Sequence, residues 1–434
     1  MSIATAFRNI FNRRGRQHQE PGEPLRLKLP VRRSERSGDE AAPRFRMLAS
    51  DRTEDDRLRP QVREAFMPSQ PVMSRNMLAG RVAPLRQLIQ AVEDHRAHLV
   101  LYGERGIGKT SMLGVFAELA RDADYLVVRE NCGAETTFDE LFRSISAQIP
   151  LIYYGALATS EAQSRASGTI ADLLPSSTLG PNQLSRVWSG IAGTRVLVIL
   201  DEFDRADDPT FHRDIVELIK NLSDSAARIQ IVVAGVAQTL RSLLGQSPSI
   251  RRNIIGMPLP PMGDAEVSQL VEIGERHAGI TFEPKAKARI IALVQGRPYL
   301  ARLIAHHASL QAVSSARQLV GLDDVDYALG VALMDMETRF SESTIDAARS
   351  WLKSKPELVV ALARASLNHG GTFELGDLLA EGAPRDILDN FIADATRSMN
   401  LVTPIEDGEG RYSFVEDGLP AYLMLAANQM KFAA

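Results

Sequence analysis

The sequence has little of what would assign it to a membrane, to a secretory route or to a nucleic acid. Cys132 is the single cysteine among 434 residues, which excludes an intramolecular disulfide and any cluster of cysteine metal ligands. No stretch approaches the roughly 18 uninterrupted apolar residues of a membrane-spanning helix, and the N-terminus lacks the apolar run of a signal peptide. A formal net charge of −4 is too small to indicate a nucleic-acid or membrane partner. We therefore expect a cytoplasmic protein with no transmembrane segment.

Residues 1–73 differ in composition from the rest of the chain. Residues 1–46 hold eleven Lys and Arg against five Asp and Glu, with repeated Pro, Gly and Ser. Such a segment buries too little apolar surface to offset the entropy of ordering it, so we predict a disordered basic tail over residues 1–73. Its first turns place Ile3, Phe7 and Ile10 at helical spacing beside arginines. A short amphipathic helix that touches a membrane surface or a partner is therefore the alternative there.

Beyond this tail the chain alternates strand and helix patterns. The apolar runs 195–200 and 229–234 have no polar alternation, which is typical of strands covered on both faces of a parallel sheet. Shorter apolar runs at 98–102 and 125–128 are separated by amphipathic helix patterns. This order predicts an α/β domain with a doubly wound parallel sheet over residues 74–260.

The patterns change twice after the predicted core. Residues 261–343 carry only helical periodicities, which predicts an all-α domain in which strands are absent. Residues 344–434 carry helical patterns and then two short strand patterns, 401–405 and 411–414, joined by a tight turn at 407–410. Helices followed by a two-stranded hairpin predict a winged-helix domain at the end of the chain.

Residues 103–110 match the phosphate-binding pattern G-x-x-x-x-G-K-[ST] in full, between a strand pattern and a helix pattern. Glycines let the backbone turn so that successive N–H groups face a phosphate, and the helix adds its positive N-terminal end. We expect Lys109 to reach the β- and γ-phosphates and the Thr110 hydroxyl to ligate Mg²⁺. The residues expected at the nucleotide are Gly103, Glu104, Arg105, Gly106, Ile107, Gly108, Lys109, Thr110 and Ser111. The motif therefore predicts ATP and Mg²⁺ as ligands.

The apolar run 195–200 is followed by the acidic residues Asp201, Glu202 and Asp204. A carboxylate at the end of a core strand is where P-loop ATPases hold the magnesium shell, so Asp201 is the candidate magnesium ligand, through water. Glu202 is placed to polarise the attacking water and is the candidate catalytic base. A strand end that only faces solvent is the alternative for both residues. We expect Asp204 to form an ion pair with Arg205.

Together these motifs resemble the AAA+ superfamily, in the branch of origin-recognition-like and STAND (signal-transduction) ATPases. The resemblance covers residues 77–434 and extends to a Leu-Ala-Gly-Arg motif at 78–81 and a Gly-Arg-Pro turn at 296–298. It implies that Pro298 lies against the adenine. It also implies that Arg302 is a lid arginine that contacts phosphates, and a solvated helix residue is the alternative for Arg302.

The resemblance has further implications for hydrolysis. Arg251 and Arg252 follow the last core strand, where relatives carry an arginine that reaches the γ-phosphate of a neighbouring subunit. This match implies a homo-oligomer in which both arginines are catalytic candidates, and a solvated arginine pair is the alternative. The run 229–234 ends without the polar sensor residue of the family, and Gln238 is the nearest amide. This departure predicts an ATPase that hydrolyses slowly.

The sequence supports three functions to different degrees. The first is a regulatory ATPase in which the nucleotide sets the arrangement of core, lid and winged helix. The second is a DNA-engaging ATPase of origin-recognition or transposition-helper type. Residues 345–434 hold eight Lys and Arg against thirteen Asp and Glu, which disfavours DNA and favours a protein partner or self-association through the winged helix. The third, a protein-remodelling machine, is the weakest because the sequence shows no aromatic-glycine pore loop. We predict the first, a slow regulatory switch.

Overall fold

The computed structural model describes most of the chain. The described residues are 54–68, 70–155, 168–237, 240–244, 254–369, 371–376, 385–405, 410–416 and 418–433. None of the helices within these ranges is long and apolar enough to cross a membrane. The first element is helix α1 (Glu54–Phe66), which precedes the central sheet.

A parallel sheet of five strands organises the part of the chain up to residue 258. Its strands are β1 (His98–Gly103), β2 (Tyr125–Asn131), β3 (Arg195–Asp201), β4 (Ile229–Val236) and β5 (Ile254–Pro258). They are ordered β2-β3-β4-β1-β5, and every neighbouring pair is parallel. In β3, every residue after Arg195 is buried, as expected for a strand covered on both faces. The predicted parallel-sheet core is confirmed.

Helices cover both faces of this sheet. One face carries α2 (Val82–Glu93) and α3 (Lys109–Asp122), and the other carries α4 (Phe138–Ala147), α5 (Pro181–Trp188) and α6 (Pro209–Asp224). The buried residues of α2 include Leu85, Leu88, Ile89 and Val92, whose spacing of three and four places them on one side of the helix. The short helix α7 (Leu240–Leu244) follows β4. Short 3₁₀ helices lie at Arg75–Met77, Leu151–Tyr153, Ile170–Leu173 and Phe203–Arg205.

Residues 264–337 are mainly helical. Helices α8 (Asp264–Ala278), α9 (Pro284–Val294), α10 (Pro298–Ser314) and α11 (Leu322–Glu337) bury their apolar faces against one another. The two-residue strands β6 (Thr281–Phe282) and β7 (Leu319–Val320) pair in parallel between them. The prediction that strands are absent from this region is wrong at these two strands, because two residues are too few to show a strand periodicity.

The C-terminal region combines helices with a three-stranded antiparallel sheet. Its helices are α12 (Glu342–Ser354), α13 (Pro356–Asn368), α14 (Arg385–Ala393) and α15 (Leu419–Ala433), and a π-helix at Asp394–Ser398 follows α14. The strands β8 (Thr372–Glu374), β9 (Val402–Pro404) and β10 (Arg411–Phe414) have the order β8-β10-β9. Strands β9 and β10 pair as the sequence predicted, whereas β8 was not predicted. Most of the predicted turn at 407–410 lies outside the described residues.

Helix α1 packs against the helices that follow the sheet. Val62 and Phe66 are fully buried in contact with α8 and α10, and the Phe66 ring meets the Phe282 ring edge to face at 5.9 Å between centroids. A β-carbon on Gly274 would lie 2.1 Å from the Phe66 ring. The glycine therefore lets α1 approach α8 closely enough to bury this ring.

The segment after α1 continues along α3. The backbone N–H of Val72 donates to Ser111 Oγ at 3.0 Å, and Arg75 forms ion pairs with Glu118 and Asp122 of α3. The prediction of a disordered tail is therefore wrong for the described part of residues 54–73. The segment holds few apolar residues, but they pack against helices α3, α8 and α10, and this contact supplies the burial that the segment could not supply alone. Residues 1–53 lie outside the described part of the chain.

Candidate nucleotide site

The phosphate-loop motif lies between the end of β1 and the start of α3, at the carboxyl edge of the sheet. Gly103, Gly106 and Gly108 have φ angles of 154°, 75° and 98°, which residues with a β-carbon rarely adopt. Helix α3 begins at Lys109, directly after Gly108, so the unpaired N–H groups of its first turn adjoin the loop. The path of the backbone thus requires the glycines that the motif supplies.

The side chain of Lys109 is folded back onto the loop that precedes it. Its Nζ donates to the carbonyl oxygens of Gly103 at 2.9 Å and of Glu104 at 2.8 Å. Burial lowers the pKa of Lys109 to about 8, and the nearby carboxylates of Asp204, Asp201 and Glu104 oppose this shift. Neutral carbonyl oxygens are its hydrogen-bond partners, and a phosphate oxygen would be a stronger acceptor for the same ammonium.

Asp201 ends β3 beside β2, where two donors of the protein hold its carboxylate. Its Oδ1 accepts from the backbone N–H of Glu202 at 3.0 Å, and its Oδ2 accepts from Arg129 Nη2 at 2.7 Å. Arg129 lies on β2, two residues before Asn131, which is the register partner of Asp201. The side chains of Arg129 and Asp201 therefore project from the same face of the sheet. Asp201 is only 2% exposed and the Arg129 side chain is 17% exposed, so this largely buried pair was not indicated by the sequence.

Glu202 lies at the solvent side of the strand end. Its backbone is in the left-handed region, with a φ of 54°, and its side chain is 46% exposed. Its Oε2 accepts from Arg205 Nη1 at 2.7 Å, across the 3₁₀ turn that begins at Phe203. The prediction that Arg205 pairs with Asp204 is therefore wrong, because the turn brings the side chain at i+3 back over Glu202.

Asp204 instead connects the end of β3 to the end of β4. Its Oδ1 accepts from the backbone N–H of Val236 at 2.7 Å. A β-carbon on Gly235 would lie 2.9 Å from that oxygen, so the glycine leaves room for the carboxylate. Strand β4 ends without a polar side chain, and Asp204 brings a charged oxygen to this position from the neighbouring strand. Gln238, the amide noted in the sequence, lies outside the described residues.

The start of α10 packs on the phosphate loop. A β-carbon on Gly106 would lie 3.3 Å from Tyr299 Cβ, and one on Gly108 would lie 3.5 Å from Pro298 Cγ. Pro298, which the resemblance placed at the adenine, is thus beside the end of the loop. Arg302 lies one turn further along α10, and burial lowers the pKa of its guanidinium. The contact of Arg302 with phosphates stays a prediction.

A buried ion pair links the loop to the residue before α10. Arg297 Nη2 lies 3.1 Å from Glu104 Oε2, and both side chains are almost fully buried. Arg297 Nη1 donates to the Gln295 carbonyl at 3.1 Å, whereas its Nε and Nη2 make no hydrogen bond of good geometry to any residue that the structure describes. The attraction to Glu104 is therefore electrostatic, and donor capacity remains beside the loop. Arg297 is the middle residue of the Gly-Arg-Pro motif at 296–298. The motif predicted a role for Pro298 and did not indicate one for Arg297.

Arg81 joins the loop, the end of the sheet and helix α8. Its Nη1 donates to the Pro260 carbonyl at 2.6 Å, and its Nη2 donates to the Ile107 carbonyl at 3.1 Å. Its backbone N–H donates to Glu266 Oε1 at 2.8 Å. Arg81 is 3% exposed and has a φ of 58°. The motif at 78–81 pointed to this residue, but the sequence did not reveal that it connects three separate elements.

Thr110 and Asp201 carry the oxygen donors that the sequence assigned to magnesium, and this assignment stays a prediction. Mg²⁺ takes oxygen ligands and usually combines one or two carboxylates with phosphates and waters. Among the described residues, no three or more His, Cys, Asp and Glu side chains form a group able to hold a metal ion. An ion at Thr110 and Asp201 would therefore take most of its remaining ligands from phosphate and water, as P-loop sites do.

The other residues expected at the nucleotide have varied positions. Arg105 is exposed on the loop, and Ile107 is buried under it. Ser111 Oγ accepts from the Val72 N–H, so this hydroxyl already has a partner outside the loop. Arg251 and Arg252 lie outside the described residues, and their catalytic role stays a prediction.

Comparison with known families agrees with this geometry. Residues 78–233 match the family model described as an AAA ATPase domain. The matched segment contains β1 to β3, most of β4 and the whole phosphate loop, so this part of the chain is similar to AAA ATPases. No curated protein sequence matches the chain significantly.

Solved structures resemble the chain over most of its length. A Walker-type ATPase of Pyrococcus abyssi, PABY2304, has a TM-score of 0.50 and 16% identity, over 83% of this chain and 99% of its own. The RuvB Holliday junction branch migration motor of Thermotoga maritima has a TM-score of 0.44 and 14% identity, over 79% and 94%. Cdc6p from Pyrobaculum aerophilum has a TM-score of 0.42 and 16% identity, over 86% and 98%. The first of these likenesses shows a shared fold alone: the chain has the fold of a Walker-type ATPase.

Proposed function

We propose that the chain binds ATP with Mg²⁺ and acts as a regulatory switch that hydrolyses the nucleotide slowly. The observation that carries the proposal is the contact between the phosphate loop and the start of α10. There Glu104 faces Arg297, and the loop glycines meet Pro298 and Tyr299. A nucleotide at the loop would alter the surroundings of Glu104 and of α10 at the same time.

Phosphate binding would rest on the loop backbone and on Lys109. The glycine conformations aim backbone N–H groups into the loop, and the Lys109 ammonium would exchange two neutral carbonyl partners for phosphate oxygens. When bound, Mg²⁺ supplies positive charge for the β- and γ-phosphates, with Thr110 and Asp201 as its protein ligands. Arg297 keeps donor capacity beside the loop and joins Arg302 as a candidate lid arginine for the phosphates.

Slow hydrolysis is supported by the position of the candidate base. Glu202 is half exposed and paired with Arg205 at 2.7 Å, so it must leave this partner before it polarises a water at the γ-phosphate. Strand β4 contributes no polar side chain at its end, and the Asp204 carboxylate that lies beside it is already bonded to the Val236 N–H. A site in which the candidate base must break an ion pair is suited to a long-lived nucleotide state.

The switch itself would be a change in how the nucleotide-binding core meets the helices after it. We assign residues 74–260 to the ATPase core, residues 261–343 to a lid and residues 344–434 to a winged-helix module. Arg81 bonds to the loop at Ile107, to the connection at Pro260 and to α8 at Glu266. Movement of the loop on nucleotide binding would therefore reach the lid through this arginine as well as through α10.

The winged-helix module is the proposed output of the switch. Its excess of acidic residues, thirteen against eight basic ones over residues 345–434, favours a protein partner or a second copy of the chain. The same charge repels DNA, so a DNA-engaging ATPase is the less favoured function.

The primary test is ATP binding by the full chain, measured by isothermal titration calorimetry with Mg²⁺ present. Lys109→Ala should abolish most of the affinity while leaving the protein folded, which a cooperative thermal unfolding transition checks. Lys220→Ala, which removes an exposed lysine from the core helix α6, should bind as the wild type does. Equal binding by the wild type and Lys109→Ala would overturn the proposal. Glu202→Gln should retain ATP but slow phosphate release, and unchanged turnover in this variant would exclude Glu202 as the base.

A further inference from the structure

Arg129 places a guanidinium at the acidic end of β3. Its Nη2 lies 2.7 Å from Asp201 Oδ2, with the side chains of Arg129 and Asp201 17% and 3% exposed. Its Nη1 lies 3.8 Å from the sulfur of Met73, in the segment that runs along α3. The charge of Asp201 also acts on Lys109, so the ion pair lies within electrostatic range of the phosphate loop.

Neutralising Asp201 changes the electrostatic interaction between this edge of the sheet and an incoming nucleotide. An unpaired carboxylate repels the triphosphate, and a divalent cation is then needed to offset that repulsion. With Arg129 beside it, the charges of the pair cancel, and this carboxylate no longer offsets the attraction of Lys109 for an anion. The protein has thus already supplied part of the positive charge that a metal ion would contribute.

The two oxygens of Asp201 are both engaged by protein donors. Oδ1 accepts from the Glu202 N–H and Oδ2 accepts from Arg129. A metal ion that draws on this carboxylate, directly or through water, must compete with the guanidinium for its negative charge. The gain in free energy from adding the metal is therefore smaller than it would be beside an unpaired aspartate.

We infer that Arg129 is a positioning residue that neutralises Asp201 and lets this site bind ATP in the absence of a divalent cation. The inference rests on the proposed function, since it concerns how the same site handles charge. Arg129 acts through Asp201 and not on the reacting atoms. It makes nucleotide binding and metal binding separable steps, so that a metal-free nucleotide complex is a populated state of the protein.

The experiment measures the dissociation constant of ATP for the full chain twice, in excess magnesium and in excess EDTA. The wild-type ratio of the EDTA value to the magnesium value should stay below about tenfold. Arg129→Gln keeps an amide donor for Asp201 but removes the charge, and it should raise this ratio by about tenfold or more. Arg129→Lys keeps the charge and should preserve the wild-type ratio.

Arg195→Gln is the matched control. Arg195 begins β3 at the opposite end of the strand and lies over the Tyr125 ring at 4.3 Å, so the substitution removes one positive charge from the same sheet far from Asp201. Its ratio should equal that of the wild type. A rise in the Arg195→Gln ratio as large as that of Arg129→Gln would show that only net charge matters, and would overturn the inference.

A second pair of variants covers the case in which Arg129→Gln fails to fold because Asp201 is left as a buried charge. Asp201→Asn removes that charge, and ATP should bind to it more tightly than to the wild type in EDTA, because Arg129 is then uncompensated. Adding Arg129→Gln to Asp201→Asn should cancel this gain by about tenfold or more. Equal EDTA affinities in these two variants would contradict the inference.

The remaining outcomes separate this inference from the proposed function. Wild-type protein that binds ATP in magnesium but shows no measurable binding in EDTA overturns the role of Arg129 alone. If the ratio of the EDTA to the magnesium dissociation constant in Arg129→Gln equals that of the wild type, the role of Arg129 is likewise overturned. Protein that binds ATP under neither condition overturns the proposed function, and this inference with it.

Discussion

The phosphate loop and the acidic end of β3 meet at one edge of the same sheet, yet different contacts hold them in place. The path of the loop is set by its own residues, because its glycines adopt the required backbone angles and Lys109 bonds to carbonyl groups five and six positions earlier. Arg81 and Arg297 then join the formed loop to more distant parts of the chain. At the acidic end, Asp201 and Asp204 take partners from other strands: Asp201 binds Arg129, 72 positions away, and Asp204 binds the Val236 N–H, 32 positions away. Contacts between residues close in sequence produce a recognisable sequence pattern, whereas contacts between residues on different strands produce a weak one.

The largest effect that tests this comparison is expected at another long-range contact, the packing of α1 on α8. Phe66→Ala should lower the free energy of unfolding by about 3–5 kcal/mol, because the ring is fully buried and its loss leaves a cavity. The measurement is urea unfolding of the full chain. Leu58→Ala, on the same helix but only partly buried, should cost clearly less.

A double-mutant cycle with Gly274 isolates this contact. Gly274→Ala alone should destabilise the protein, because its β-carbon would lie 2.1 Å from the Phe66 ring. In the Phe66→Ala background the same change should become neutral or stabilising, since alanine favours helix over glycine by roughly 1 kcal/mol. Additive effects of the two substitutions would show that α1 does not pack on α8 in solution.

The next effect concerns the acidic end itself. Asp201→Ala leaves the Arg129 guanidinium without its partner in a largely buried place, and should cost about 3 kcal/mol of unfolding free energy. Glu202→Ala is the matched comparison, because it removes the adjacent carboxylate from an exposed pair with Arg205 and should cost less than about 1 kcal/mol. Equal costs in urea unfolding would mean that the Asp201 pair is as hydrated as its neighbour, and the distinction between the two carboxylates would fail.

The contrast between local and long-range contacts also accounts for what the sequence predicted. The parallel sheet followed from apolar runs such as 195–200, and the phosphate loop from its glycines and Lys109, because each is encoded within a short stretch. Helix α1 was not predicted, because its stability comes from surfaces formed by residues two hundred positions later, at Gly274 and Phe282. Arg129 looked like any arginine at the end of a strand, since nothing near it in sequence is its partner.

Neighbouring residues were misjudged for a related reason. Asp204 and Arg205 are adjacent and of opposite charge, which suggested an ion pair. The 3₁₀ turn from Phe203 directs their side chains to different partners, Glu202 for Arg205 and the Val236 N–H for Asp204. Adjacent side chains on a tight turn point apart, so charge alone is a poor guide to pairing there. The roles of Pro298 and Arg302 stay predictions of the resemblance, and the role of Glu202 stays a prediction from its place at the end of a core strand.

A smaller effect is expected within the loop, where the cost is conformational. Gly108→Ala should lower the free energy of unfolding by about 1–2 kcal/mol, because alanine must then adopt a φ near 98°. Space is not the cause, since the new β-carbon would lie 3.5 Å from Pro298 Cγ, an ordinary contact distance. The matched control is Gly133→Ala, whose β-carbon would meet Thr136 Oγ1 at an ordinary contact distance of 3.9 Å, and which should be close to neutral. Urea unfolding distinguishes them, and a neutral Gly108→Ala would show that the loop relaxes to another conformation.

A separate effect is a pH dependence that belongs to Lys109. Its folded-state pKa is lowered from the ordinary 10.5 to about 8, chiefly by burial. The unfolded chain therefore holds more protons than the folded one between about pH 8 and 10.5, and the unfolding free energy should rise with pH across this window. ATP binding should move the opposite way, because the phosphates require the charged ammonium. The affinity should fall about 25-fold between pH 7.5 and 9.5, in proportion to the charged fraction of a group with a pKa of about 8.

Calorimetric titration of ATP at several pH values checks this last expectation, with Lys109→Arg as the control. The guanidinium of arginine stays charged throughout that range, so the variant should show a nearly flat profile even if its affinity is lower at every pH. Lys109→Ala should show a flat profile at the lowest affinity of the three. A wild-type affinity that stays constant to pH 9.5 would mean that Lys109 keeps an ordinary pKa in the protein. Its ammonium, bonded to the Gly103 and Glu104 carbonyls, would then stay largely charged across this range. The lower affinity of Lys109→Ala would still measure its contact with the phosphates, and only the lowered pKa would be overturned.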